Sequence, residues 1–266
     1  MARPLIALLS DFGYRDHYVG AMKGVILGIC PEATLVDISH EIPAHDVIAA
    51  GFELASVYEF FPSGSVFLVV VDPGVGSTRR GLAVDTGGYR FVAPDNGVLT
   101  PIVRKISPKL VVELTERRYA RPTVSRTFEG RDRFAPAAAW LAKGIQLSAL
   151  GRPTDYKVLD LPLPDINKNR IVGQIIKIDR FGNLVTNINR KMFEQFSEGG
   201  SIYIEVGSHA INRLVGTYAD IEKMEVCALF GSTEHLEFAS HSTSAVNKLS
   251  VECGTRVVVS RGKPDK

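Results

Sequence analysis

Ser65-Val66-Phe67-Leu68-Val69-Val70-Val71-Asp72 decides the fold. Six apolar residues run from Val66 to Val71 without polar alternation, the pattern of a strand buried on both faces. A strand of that kind needs helices on either side, and the upstream chain supplies them. Residues 5–9 form a short apolar run that closes in Ser10-Asp11. Tyr18, Val19, Met22, Val25, Ile26 and Ile29 then recur at helical spacing until Pro31 ends the helix. Residues 34–38 read as a second strand. Val47, Ile48, Leu54, Ala55 and Tyr58 mark a second helix, stopped near Pro62. Strand, helix, strand, helix, strand is the signature of a parallel sheet covered on both faces. Downstream, strands are expected over 82–85, 89–92 and 110–114, and a helix over 134–146. The sequence therefore predicts an α/β N-terminal domain with a mostly parallel central sheet over residues 1–161.

The character changes near residue 160. Pro162, Pro164 and several polar turn residues predict a linker over 162–170. Beyond it, short β runs at 171–179, 201–206, 225–230, 235–239 and 255–260 are separated by Gly, Ser and Asn. No long helical pattern intervenes, so residues 171–266 are expected to form a smaller all-β barrel domain.

The 266 residues are enough to bury a core without disulfides or metal. Lys plus Arg is 31 against 29 for Asp plus Glu, a balance that gives no global pull toward nucleic acid or an anionic membrane. No apolar run approaches the ~20 residues of a membrane helix, and the 5–9 run is too short for a signal-peptide core. Cys30, Cys227 and Cys253 are odd in number and form no CxxC pair, so reduced buried thiols in a cytoplasmic protein are expected.

Chemistry is expected at the strand ends, because ligands of open parallel sheets sit beyond the carboxyl ends of the strands. Asp11 closes the first strand and Asp72 the third. Asp11 could equally cap the next helix. Asp72 leads instead into Pro73-Gly74-Val75-Gly76-Ser77-Thr78-Arg79-Arg80-Gly81, a glycine-rich loop with two arginines and no helix after it. His40-Glu41-Ile42-Pro43-Ala44-His45 is one residue too long for the zinc motif HExxH and carries a helix-breaking proline, so no metal site is predicted. The six arginines of 117–133 face Glu116, Glu129 and Asp132, which suggests a solvated loop with local ion pairs. Asp179-Arg180-Phe181-Gly182-Asn183 reads either as a hairpin turn or as an aromatic platform beside an amide, as a nucleobase would need.

Six segments together resemble the S-adenosyl-L-methionine (SAM) hydroxide adenosyltransferase family. They are Ser10-Asp11-Phe12-Gly13, Asp37-Ile38-Ser39-His40, Val71-Asp72-Pro73-Gly74-Val75-Gly76, Ala93-Pro94-Asp95-Asn96-Gly97-Val98-Leu99, Arg131-Asp132-x-Phe134-Ala135-Pro136 and Asp179-x-Phe181-Gly182-Asn183-x-x-Thr186-Asn187. The family hydrolyses SAM to adenosine and L-methionine and is related to the SAM-dependent fluorinase and chlorinase. The resemblance implies a seven-stranded α/β domain, a β-barrel domain, and a homotrimer with active sites between subunits. It implies no cofactor, SAM being the substrate. By similarity, Asp11 holds the ribose hydroxyls, Asp179 the methionine amino group and Ser232 the methionine carboxylate. Phe181 and Asn183 contact adenine, and Asn96 stands in a segment that carries the match and is taken as substrate-binding.

Family hydrolases position water with an Asp–Arg–His set. Asp72 matches the Asp, and Arg79 the Arg, with Arg80 as rival; the His is replaced by Glu129. Two carboxylates in one pocket should raise at least one pKa unless Arg79 bridges them. Glu129 is expected to pair with Arg79 and weaken its grip on the water, lowering turnover while SAM binding persists. Two other readings stand beside the hydrolase. A halogenase of the same fold has Tyr in place of Asp72 and Arg in place of Thr233, and the fluorinase has Ser in place of Gly130. A catalytically weak SAM- or adenosine-binding protein is the third, motivated by Glu129.

Overall fold

A computed structural model of the chain describes residues 3–198 and 200–262. The chain divides into two compact units, residues 1–160 and 161–266.

The first unit is built on seven strands: β1 (Leu5–Ser10), β2 (Thr34–Ser39), β3 (Val66–Val70), β4 (Gly81–Asp85), β5 (Arg90–Pro94), β6 (Leu110–Leu114) and β7 (Gly151–Pro153), ordered β2-β1-β3-β5-β4-β6-β7. Helices α1 (Tyr18–Ile29), α2 (Val47–Val57), α3 (Thr100–Lys105) and α4 (Ala135–Ala142) accompany it. The unbroken apolar runs serve two cores at once. Ile6, Leu8, Leu68 and Val70 pack with Met22 and Ile26 of α1 and with the alanines of α4. Ala7, Leu9, Phe67 and Val69 pack on the other side with Ala50 and Leu54 of α2. At about 1.5–3 kcal/mol per fully buried large side chain, β3 alone is a major contributor to stability.

The sheet is mixed rather than mostly parallel. β2/β1, β1/β3 and β3/β5 are parallel, whereas β5/β4, β4/β6 and β6/β7 are antiparallel. The cause lies between β4 and β5. A parallel crossover needs a dozen residues or more, but only residues 86–89 connect these strands, in a turn closed by Thr86 N–H donating to Tyr89 O at 3.0 Å.

The second unit is an eight-stranded antiparallel sheet that curls into a nearly closed barrel. Its strands are β8 (Asp165–Ile166), β9 (Arg170–Ile178), β10 (Leu184–Asn189), β11 (Ile202–Val206), β12 (His209–Ile211), β13 (Val226–Phe230), β14 (His235–Ser240) and β15 (Arg256–Arg261). The proline-bearing stretch 162–170 contributes β8, which pairs with β9. Two short helices, α5 (Arg190–Ser197) and α6 (Ala245–Leu249), bury Phe193, Phe196, Ala245 and Leu249 against Ile171, Ile175 and Phe238. Among the described residues no helix is long and apolar enough to cross a membrane. Cys30 and Cys227 are buried as expected, but Cys253 is exposed.

Candidate active site

Parallel pairing of β1 with β3 puts Ser10 beside Val70, so Asp11 and Asp72 emerge from neighbouring strands at the same carboxyl edge. Asp11 caps no helix: α1 begins seven residues later, at Tyr18 after His17, and Asp11 Oδ2 accepts the His45 N–H at 2.9 Å. Gly13 turns the chain back with φ +63°, and its N–H donates to His40 O at 2.7 Å.

A cavity of about 280 Å³ opens at this edge, lined by Asp11, Phe12, Tyr18, His45, Val70, Asp72, Phe128, Glu129 and Gly130 among others. Glu129 reaches this cavity from the segment that leads into α4. It precedes a π-helical turn, Gly130–Phe134, that runs into α4. Such turns recur at functional sites because the extra residue re-aims side chains. Asp132, fully buried, anchors the turn by accepting from Arg131 Nε at 2.6 Å and from Ser125 N–H at 2.9 Å. Phe128 meets Phe12 and Tyr18 edge-on, with centroids 5.8 and 5.1 Å away, and gives the cavity an aromatic wall.

Arg79 lies behind the carboxylates and joins them. Its Nε donates to Asp72 Oδ1 at 2.8 Å, one terminal nitrogen contacts Asp72 Oδ2, and the same nitrogen donates to Glu129 Oε2 at 2.7 Å. The other terminal nitrogen donates to Arg80 O at 3.2 Å. Phe134 packs against the guanidinium, 5.0 Å from its ring centroid. Burial works against the charge on Arg79, yet the two carboxylates outweigh it and hold its pKa above the ordinary value. Arg80 points elsewhere, to Asp95, Thr154 and Asp155. Arg133 stands 3.7 Å from Glu129 Oε2. Arg118 pairs with Glu116, and Arg121 and Arg131 with Asp132, while Arg126 donates to Gly76 O at 3.1 Å. Asn96 lines neither cavity described in this section; its amide donates to Val71 O at 2.8 Å and accepts from Val98 N–H at 3.1 Å, fixing the backbone just before Asp72.

The second unit holds a separate cavity of about 880 Å³, lined by Asp179, Phe181, Asn183, Tyr218, Ser232 and Glu237 among others. The Asp179 loop organises itself. Asp179 Oδ1 accepts the N–H groups of Phe181 and Asn183 at 2.8 and 2.9 Å, and Oδ2 accepts the Asn183 amide at 2.9 Å. Gly182, at φ +82°, has Ser244 where a Cβ would stand, so only glycine fits. Phe181 is 76% exposed and offers a bare ring face. Ser232 is exposed in the β13–β14 turn beside Thr233, whose carbonyl contacts His235 Nδ1 at 2.8 Å.

Glu237 was not among the residues expected at this site. It is 6% exposed on β14 and accepts the Tyr218 hydroxyl at 2.9 Å. Burial pushes its carboxyl pKa up, against the Tyr218 bond, and drives the Tyr218 phenol up to about 12. The available signal was an acid set between the apolar Leu236 and Phe238.

Residues 6–151 match the SAM hydroxide adenosyltransferase N-terminal domain, and residues 173–258 the C-terminal domain of the same name. The chain is 32% identical to the (R)-S-adenosyl-L-methionine hydrolase of Salinispora tropica, over 97% of this chain and 98% of that one. It is 34% identical to the protein of the same name from Thermus thermophilus, over 95% and 98%. The fluorinase of Nocardia brasiliensis is 27% identical over 98% of each chain. Among solved structures, an uncharacterized conserved protein from Thermotoga maritima superimposes with a TM-score of 0.91 at 35% identity, covering 96% of this chain and all of that one.

Proposed function

The chain belongs to the SAM hydroxide adenosyltransferase family, and we propose that it hydrolyses SAM to adenosine and L-methionine. Water attacks the ribose 5′ carbon in line with the sulfonium. The C–S bond breaks, methionine leaves as a neutral thioether, and the water gives up one proton. No acid is needed at the leaving group, so the task is to place water and accept a proton. The observation that carries this reading is the Asp72–Arg79–Glu129 cluster beside Asp11 at the strand edge. Asp72 and Glu129 present acceptors to the water, Asp11 holds the ribose hydroxyls, and Phe128 excludes bulk solvent. Carboxylates lining this cavity disfavour a halide nucleophile by simple repulsion.

The larger cavity suits recognition. Phe181 stacks on adenine, Asn183 reads its edge, Asp179 and Glu237 receive the methionine ammonium, and Ser232 meets the carboxylate. A homotrimer in the cytoplasm, with each N-terminal cavity completed by a neighbour's C-terminal unit, extends this reading. A 280 Å³ cavity falls below the roughly 300–1,000 Å³ typical of small-molecule sites, which favours completion by a partner. No cofactor is required.

In the bridged arrangement Arg79 has its donors on Asp72, Glu129 and the Arg80 carbonyl, leaving a weakened hold on water. We place turnover below that of a Glu129→His variant for this reason. The test is incubation with SAM, with and without chloride, and resolution of the products. Adenosine and methionine at equal rates in both buffers support hydrolysis. A 5′-chloro-nucleoside overturns it. Adenosine binding without turnover makes the protein a binder.

A further inference from the structure

Asp11 works only if its carboxylate stands still, and its own contacts do little to hold it. Its one side-chain bond comes from the N–H of His45, a residue in the left-handed region at φ +68°. The residues on either side of Asp11 are both gripped by a single neighbour, His40. The His40 ring is fully buried, and its Nδ1 lies 2.6 Å from Ser10 Oγ. Its backbone carbonyl accepts the Gly13 N–H at 2.7 Å.

The far side of the ring faces Asp37. Nε2 stands 3.2 Å from Asp37 Oδ1, an ionic contact outside hydrogen-bond geometry, and neither buried atom has a hydrogen-bond partner. Asp37 Oδ2 in turn accepts from Lys23 Nζ at 2.6 Å and from the Tyr14 hydroxyl at 3.1 Å. The Tyr14 ring covers His40 edge-on at 5.2 Å. Phe12 N–H donates to Ser10 Oγ at 3.4 Å, and Ser10 Oγ and His40 Nδ1 share a hydrogen bond whose direction the tautomer sets; with the ring proton on Nε2, aimed at Asp37, the Ser10 hydroxyl is the donor to Nδ1. This chain needs a neutral imidazole with its proton on Nε2, and burial keeps His40 below its ordinary pKa despite Asp37. Ser10 is completely buried, so the Asp–His–Ser order is no hydrolytic triad: nothing outside the protein reaches the hydroxyl.

We infer that His40 is a positioning residue for ribose recognition, locking the Asp11 carboxylate in place through Ser10 and Gly13 while Asp37 holds the ring. The inference rests on the proposed role of Asp11 toward the ribose hydroxyls. Its signature is a coupling between His40 and hydroxyls it never touches.

Adenosine and 2′,3′-dideoxyadenosine binding are compared by calorimetry in the parent and in His40→Ala, His40→Asn and Ser10→Ala. Hydrogen bonds to a charged group make the parent favour adenosine by about tenfold or more. His40→Ala is expected to lose about tenfold in adenosine affinity, by the same reasoning, with dideoxyadenosine unchanged. His40→Asn keeps an acceptor near Nδ1 and should recover most of the loss. Ser10→Ala should reproduce the selective loss, and it decides the matter if His40→Ala does not fold. Equal losses for both nucleosides, or no loss, overturn the inference. A parent that does not discriminate overturns the Asp11 reading itself, a distinct result.

Discussion

The two cavities treat negative charge in opposite ways. In the N-terminal unit, Asp72 and Glu129 share a buried guanidinium, and their charge is balanced within the protein. In the C-terminal unit, Asp179 and Glu237 accept from neutral donors: backbone N–H groups, an amide and a phenol. Lys177 acts on Glu237 electrostatically but does not overcome its burial. On the proposed reading, the first arrangement fixes acceptors around a small nucleophile and the second leaves negative potential for an ammonium group, so that one chain separates the placing of water from the recognition of a zwitterionic, aromatic substrate.

The contrast breaks most visibly at Arg79. Arg79→Met strands two carboxylates in a largely buried site, and unpairing buried ions costs about 3–5 kcal/mol. Urea unfolding should register that loss, and SAM turnover should vanish. Asp155→Asn is the control. Asp155 is 87% exposed beside Arg80, so a loss of about 1 kcal/mol or less is expected there. Equal losses for the two variants would mean that the balanced cluster has no special standing.

Glu129→His is the next largest change. It frees one arm of Arg79 and restores a neutral acceptor. Turnover at saturating SAM should rise by roughly 100-fold, the low end for a positioned acid–base group, while KM moves little. A variant no faster than the parent would show that Arg79 holds water as well in its bridged state as when free.

How far these sites were readable in the sequence depends on chain separation and side-chain direction. Asp11 and Asp72 were readable because each follows an apolar strand, and parallel pairing does the rest. Arg79 and Arg80 are adjacent, so composition could not say which faced Asp72; their opposite orientations decide it. The antiparallel half of the sheet was implicit in the short 86–89 turn but lost in the βαβ rhythm before it. Asp179–Asn183 is the hairpin turn that one of its two readings expected, between β9 ending at Ile178 and β10 beginning at Leu184, with Gly182 at φ +82° making the reversal. Helix α5 escaped notice at eight residues. The His40–Ser10 contact joins residues thirty positions apart, and nothing local predicts it.

Phe181 tests recognition apart from stability. The ring is 76% exposed, so Phe181→Ala should leave unfolding unchanged. Stacking on a base is worth about 1–3 kcal/mol, so adenosine affinity should fall by about tenfold. A stability loss comparable to that of Arg79→Met would assign the ring to the fold and remove the platform.

The smallest effect probes the charge contrast directly. Burial raises the Glu237 pKa above the unfolded value near 4.5. A carboxyl shifted upward binds its proton more tightly in the native state. Its contribution to stability is therefore whole below the unfolded pKa and is lost as pH rises through the folded one. Glu237→Gln keeps an acceptor for Tyr218 but cannot ionise. Measured by urea unfolding, the variant should match the parent near pH 4 and gain on it toward pH 8. The ammonium of a bound ligand would reverse the balance, because the ionised parent then has a counterion that the amide lacks. Saturating L-methionine should accordingly shrink the gap at pH 8 and leave it unchanged at pH 4. A gap indifferent to methionine would mean that Glu237 is merely a buried acid, and the C-terminal cavity would lose half of the charge assigned to it.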